Sequence, residues 1–135
     1  MRSTVTDGSH SDREGPRPPL SPAVFHILLA LATGEMHGYA IMHEVAILSN
    51  GQVNMGPGTL YGSIKKMLVD GLIEESDNRP DPKLDDERRR YYRITDEGRR
   101  LLGAEAERMA RLVKVARSRR LLGETPPALG LGDTS

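Results

Sequence analysis

One continuous stretch, Pro57 to Thr95, limits what this chain can fold into more than any bulk property does. It opens as PGTLYGSIKKMLVDGLIEES, passes through DNRPDPKLDDE and closes as RRRYYRIT. Leu60, Ile64 and Leu68, with Met67 flanking, recur at helical spacing. Gly56 suits an N-cap, Pro57 the first helical position, and Gly71 a left-handed C-cap. Leu72 and Ile73 then open a strand, a charged loop holding two prolines reverses the chain, and Tyr91 to Ile94 return as a second strand. A helix followed by a two-stranded hairpin is the working end of a winged helix-turn-helix. The expected fold class is therefore mainly α with a small antiparallel β-wing.

The flanking sequence completes that motif. Ser21 caps a first helix, Pro22 occupies its first position and Leu20 staples onto Phe25. Val24, Ile27, Leu28 and Leu31 form its apolar stripe, and Gly34 marks its end. A second helix is expected from near Gly38 to about Ser49, with Ile41, Val45 and Leu48 on one face, followed by the turn-rich connector SNGQVNMG. After the hairpin, Thr95 caps a last helix whose first turn carries Asp96 and Glu97, where the helix dipole favours acids. Leu102, Ala106, Met109, Val113 and Ala116 follow in steps of 4, 3, 4 and 3, a heptad-like seam that Leu101 and Leu112 widen. So wide an apolar face on a terminal helix needs a cover, and we read it as a dimer interface.

These elements divide the chain into an N-terminal disordered tail (1–19), a winged helix-turn-helix DNA-binding domain (20–95), a C-terminal dimerisation helix (96–122) and a second disordered tail (123–135). The absence of cysteine excludes a disulfide scaffold, a thiolate nucleophile and a Cys-ligated zinc. The longest clean apolar run, Ile27 to Ala32, is far shorter than the ~20 residues a membrane span needs. The first nineteen residues hold no apolar segment of the secretory type, so a cytoplasmic protein is expected. His37 and His43 are six apart with no H-x-x-x-H pair, and MGPGTLYG lacks the Lys-Ser/Thr ending of a phosphate loop. No metal, cofactor or enzymatic activity is implied.

Nineteen basic and nineteen acidic residues leave the chain with no net charge. Any grip on phosphate must then come from charge segregated onto one face, not from a global field. The third helix is the candidate reader, since the second helix of a helix-turn-helix lies in the major groove. Thr59 and Ser63 can hydrogen-bond phosphate or a base edge, Tyr61 offers a hydroxyl to phosphate, and Lys65 and Lys66 supply charge. A merely solvated helix face is the plain alternative, and the position between a turn and a wing weighs against it. Arg88, Arg89 and Arg90 at the wing base can reach the minor groove or flank phosphates, or can neutralise the adjoining Asp85, Asp86 and Glu87. Strand alternation sends Tyr92 to the core and leaves Tyr91 as a possible phosphate or partner contact.

The chain resembles the PadR-like transcriptional regulators. The matching pieces are LSPAVFHILLAL in the first helix, HGYAI opening the second, GTLYGSIKKMLVDGLIE through the third into the wing, and YYRITDEGRRLL leading into the last. Together they cover about residues 20 to 105. The resemblance implies a dimeric winged-helix repressor whose C-terminal helix swaps across the two-fold axis, acting on double-stranded DNA. It also implies the smaller subclass, with a single helix after the wing. Tyr39, Thr59, Tyr61, Lys65 and the wing arginines match positions that look like DNA contacts in that family. Gly62 stands where the family commonly shows proline, and the tryptophan with which some small relatives stack flat drugs is absent. The expected function is a homodimeric repressor on a pseudo-palindromic operator, released by an unknown small-molecule effector. The competing expectation, prompted by the balanced charge and the acidic wing tip, is a protein-interaction adaptor without DNA binding.

Overall fold

A computed structural model of the chain describes residues 19–76 and 90–123. Two compact units make up the chain, Met1–Glu105 and Ala106–Ser135. Within the first, the described elements run α1 (Pro22–Leu31), β1 (Met36–His37), α2 (Gly38–Leu48), α3 (Pro57–Val69), β2 (Ile73–Glu75) and β3 (Tyr91–Ile94). The last helix, α4, spans Asp96–Ser118. The expected tails and the DNRPDPKLDDE loop lie outside the described residues, save for a few positions at their edges.

Local chemistry sets most of these boundaries. Ser21 accepts a hydrogen bond at Oγ from the Val24 N–H at 3.2 Å, with Pro22 in the first helical position. Gly56 and Pro57 open α3 in the same manner, although a glycine cap has no side chain to accept a bond. At the far end of α3, Gly71 takes a left-handed φ of 77°, where a Cβ would be strained. That turn lets the Leu72 N–H reach the Met67 carbonyl at 3.0 Å and the Gly71 N–H reach the Leu68 carbonyl at 3.2 Å. Thr95 accepts from the Gly98 N–H at 3.0 Å and so caps α4. Its hydroxyl also lies 2.7 Å from the Gly71 carbonyl and 3.0 Å from that of Leu72. The cap of α4 is thereby tied to the exit of α3.

The sheet has three strands in the order β1-β3-β2, all antiparallel, rather than the two of the expected wing. β1 pairs Met36 with Tyr92 and His37 with Tyr91; β2 pairs Ile73 with Ile94, Glu74 with Arg93 and Glu75 with Tyr92. A strand of two residues cannot display alternation, so its only cause is the ladder that β3 offers it. In β3 alternation is clear: Tyr92 and Ile94 are buried, Tyr91 and Arg93 half-buried.

One apolar cluster holds the first unit together. Ile27, Leu28 and Leu31 of α1 meet Ile41 and Val45 of α2, Leu60, Ile64 and Met67 of α3, Tyr92 and Ile94 of β3, and Leu101 and Leu102 of α4. Ile27, Leu28, Ile41, Val45 and Leu60 are wholly buried, each worth about 1.5–3 kcal/mol of transfer free energy. Leu20 and Phe25, the expected staple, pack half-buried against this cluster. Four positions depart from the sequence reading. Met67 is buried and Leu68 only half so, because positions 60, 64 and 67 share a narrower helical stripe than 60, 64 and 68. Leu48 is exposed at the end of α2. Leu102, assigned to the dimer seam, is buried in this core, since the first turns of α4 join the apolar cluster.

Close packing at that point depends on Gly98. A Cβ there would collide with the Leu72 carbonyl oxygen and sit 2.9 Å from Ile94 Cγ1. Glu105, wholly buried, accepts a hydrogen bond from the Leu20 N–H at 3.1 Å and ties the entrance of α1 to α4. The described part of the second unit is the remainder of α4 with its C-terminal turn, where Leu112, Val113 and Val115 are exposed on the single chain. Among the described residues no helix is long and apolar enough to cross a membrane.

Candidate nucleic-acid interface

The segment from α2 to α3 has the order of a helix-turn-helix, and its turn is built residue by residue. Ser49 Oγ accepts from the Val53 N–H at 2.8 Å, and Asn54 Nδ2 donates to the Gly51 carbonyl at 2.8 Å. Asn50 and Gly51 both take left-handed φ values, 58° and 81°, which reverse the chain within two residues. α3 is thus delivered to the surface with Leu60, Ile64 and Met67 inward.

Its outward face carries Thr59, Lys65 and Lys66 exposed, with Ser63 half-buried beside them. Gly58 and Gly62 lie on the same side, and Val69 continues it at 81% exposure. Lys66 Nζ stands 3.7 Å from Asp70 Oδ2 one turn on, a loose pair on an exposed surface that is worth little and leaves the ammonium accessible. Tyr39, in the first turn of α2, is 45% exposed. Thr59, Ser63, Lys65 and Lys66 are therefore brought together on α3, with Tyr39 on the neighbouring helix.

Tyr61 is placed differently from expectation. Its hydroxyl is buried, packed with Cζ and Cε1 against the backbone of Gly38, where a Cβ would fall 2.6 and 2.9 Å from those two atoms. A phenol held inward in this way does not offer its hydroxyl to a phosphate. Gly38, which opens α2, has no side chain to obstruct the ring.

The basic residues of the wing divide into two groups. Arg88 and Arg89 lie outside the described residues, and Arg90 is half-buried with Nε 3.4 Å from Glu75 Oε2. Arg93, which sequence reasoning did not single out, donates from Nε to Glu74 Oε2 at 2.7 Å and places Nη1 3.5 Å from Glu35 Oε2. Its guanidinium is held above its ordinary range by the hydrogen bond and charge of Glu74, with Glu35 adding to both. Ser76, itself buried, donates to Glu35 Oε1 at 2.9 Å, so that Glu35 holds both the serine and the arginine.

His37 was also unassigned. Its Nδ1 accepts from the Ala40 N–H at 3.2 Å, so the imidazole is the N-cap of α2, and its ring meets Tyr91 edge-on at 5.4 Å.

Residues 27–104 match the family model described as the transcriptional regulator PadR-like family. The chain is 33% identical over 89 residues to the transcriptional regulator Rv3488 of Mycobacterium tuberculosis, covering 66% of this chain and 77% of that protein. It is 37% identical over 86 residues to an uncharacterized 37.1 kDa protein in transposon TN4556 of Streptomyces fradiae. That match takes in 64% of this chain but only 22% of the transposon protein's length. Among solved structures, a PadR-like transcriptional regulator from Bacillus cereus superposes with a TM-score of 0.56 at 25% identity, over 75% of this chain and 92% of that one.

Proposed function

The chain belongs to the PadR-like family of transcriptional regulators, and from that premise we propose that it is a homodimeric repressor of a pseudo-palindromic operator. The observation that carries the reading is the outward face of α3. A helix pinned by Leu60, Ile64 and Met67 presents Thr59, Ser63, Lys65 and Lys66 beside the exposed Tyr39 of α2. In this reading α3 enters the major groove, Lys65 and Lys66 meet phosphates, and Thr59 and Ser63 meet base edges or backbone oxygens. Arg88, Arg89 and Arg90 flank the site from the wing base, Arg90 after exchanging its Glu75 partner for phosphate.

Residues 20–95 serve as the DNA-binding head and residues 96–122 as the dimerisation helix. Ala106, Met109, Val113 and Ala116 line the seam, supported by the apolar exposure of Leu112, Val113 and Val115 on the single chain. Two such heads reach successive major grooves, roughly 34 Å apart. Repression follows from blocking polymerase in the cytoplasm, and a small-molecule effector releases the DNA by changing the spacing of the heads.

Selection of binding sites from random duplex DNA tests the reading at once for affinity, symmetry and spacing. Enrichment of an inverted repeat with half-sites about one turn apart is expected. Binding should weaken steeply with salt, with a log–log slope near −0.9 per phosphate neutralised. No enrichment, and flat, negligible binding across salt, would refute it in favour of the adaptor.

A further inference from the structure

We propose that Met36–Gly38 is a joint through which the wing sets the pose of the recognition helix, with His37 and Tyr61 as its positioning residues. This rests on the reading above that α3 enters DNA. Three contacts converge on the three residues. On one side, Met36 and His37 form β1 and pair in register with Tyr92 and Tyr91 of β3, the returning strand of the wing. In the middle, His37 ends that strand and caps α2 through Nδ1, with its ring set edge-on against Tyr91. On the other side, Gly38 receives the buried end of Tyr61 from the first turns of α3.

A displacement of β3 therefore carries β1 with it, and β1 leads without a spacer into the backbone on which α3 rests. The joint is stiff for physical reasons. Gly38 is buried, and the ring lies so close that no side chain fits at that position. The cap removes one unsatisfied N–H from the start of α2 and fixes the angle at which the strand becomes helix. His37 and Tyr61 thus act through α3, without touching DNA.

The test uses the full chain and, as probe, a duplex that the wild-type protein itself enriches from random-sequence DNA. Tyr61→Phe keeps the ring on Gly38, so affinity should stay within about threefold, whereas Tyr61→Leu removes the distal ring atoms. For Tyr61→Leu a fall of about tenfold is expected, the worth of one misplaced base contact. Equal losses in the two variants would show that the hydroxyl meets DNA directly, and would overturn the proposal. His37→Ala should weaken binding, and His37→Asn should restore it, since asparagine caps well. An unrescued His37→Asn would count against the joint. A DNA-free measurement keeps the two readings apart. Backbone amide resonances of Tyr91, Tyr92 and Arg93 should shift in Tyr61→Leu. Shifts confined to α2 and α3 would refute the coupling even where DNA binding holds. A wild type that enriches no duplex would instead refute the DNA reading, leaving the amide shifts to decide the joint.

Discussion

Gly62→Ala should raise the stability of the fold and lower its affinity for DNA. Gly62 is the sixth residue of the thirteen in α3, exposed, and absent from the glycines with positive φ. A Cβ added there meets nothing within 4 Å, so the substitution introduces neither strain nor overlap. What changes is the conformational freedom that glycine loses on joining a helix, which favours alanine by about 0.8–1.0 kcal/mol. For a unit of this size that corresponds to a rise of roughly 4–8 °C in melting temperature, with an unchanged denaturant slope. The same methyl projects from the outward face of α3 between Lys65 and Lys66. In a major groove it stands between helix backbone and base edges, so affinity for a selected duplex should fall as stability rises. Thermal and urea unfolding without DNA, then titration with the duplex, read the two effects separately. A melting temperature unchanged or lowered would refute the account of α3 as an ordered, open helix. A stabilised protein that binds DNA as before would show that this face does not enter the groove.

Lys65→Ala should weaken binding to all sequences alike and reduce the salt slope by about one unit, as loss of a phosphate contact requires; an effect confined to one base position would mark it as a reader. Met109→Glu places a charge in the apolar seam of α4 and should yield monomers by sedimentation, whereas an unchanged mass would locate the dimer interface elsewhere. Thr95→Ala removes the acceptor of the Gly98 N–H and the hydroxyl beside the Gly71 and Leu72 carbonyls, and should cost about 0.5–2 kcal/mol in urea unfolding. Glu97 is held below its ordinary value chiefly by its hydrogen bond with Arg100. Because the folded pKa is depressed, its small contribution is present above the ordinary carboxylate range and lost as pH falls through the folded value. Glu97→Gln should therefore differ from wild type near neutrality and converge with it in acid; a difference that persists in acid would point to packing instead.

What the sequence made legible is what local chemistry decides. Ser21–Pro22, Gly56–Pro57, Gly71 and Thr95 punctuate the chain through caps and a left-handed turn, each acting within a few residues of itself. Helix placement and the reversal after α3 follow from them, and the inward Tyr92 follows from strand alternation. Features decided by distant partners were not legible. β1 exists because β3 offers it a ladder, and Tyr61 turns inward because Gly38 leaves room for its ring. Leu102 fits a heptad as well as a core position, and only the packing of α4 into the apolar cluster decides between them. On the candidate interface, the exposure of Thr59, Lys65 and Lys66 was readable from helical period. The inward hydroxyl of Tyr61 and the capping role of His37 were not, since both depend on residues brought together by folding.

The balanced charge of the chain acquires a structural meaning from the wing. Glu74 sits directly opposite Arg93 in the β2–β3 register and accepts its hydrogen bond, while Glu75 on the same strand pairs with Arg90. Cross-strand ion pairs of this kind favour one hairpin register over its neighbours. Glu35 approaches Arg93 from the turn before β1, so the arginine links three segments of the head. Acidic residues that cancel the net charge are thus partly spent on holding the wing, away from α3. The outward face of α3 between Thr59 and Lys66 carries two lysines and no carboxylate, and Lys66 meets Asp70 only loosely at the helix end. A neutral chain can therefore present a positive face to phosphate, provided Arg93 holds the wing and the lysines remain on the helix.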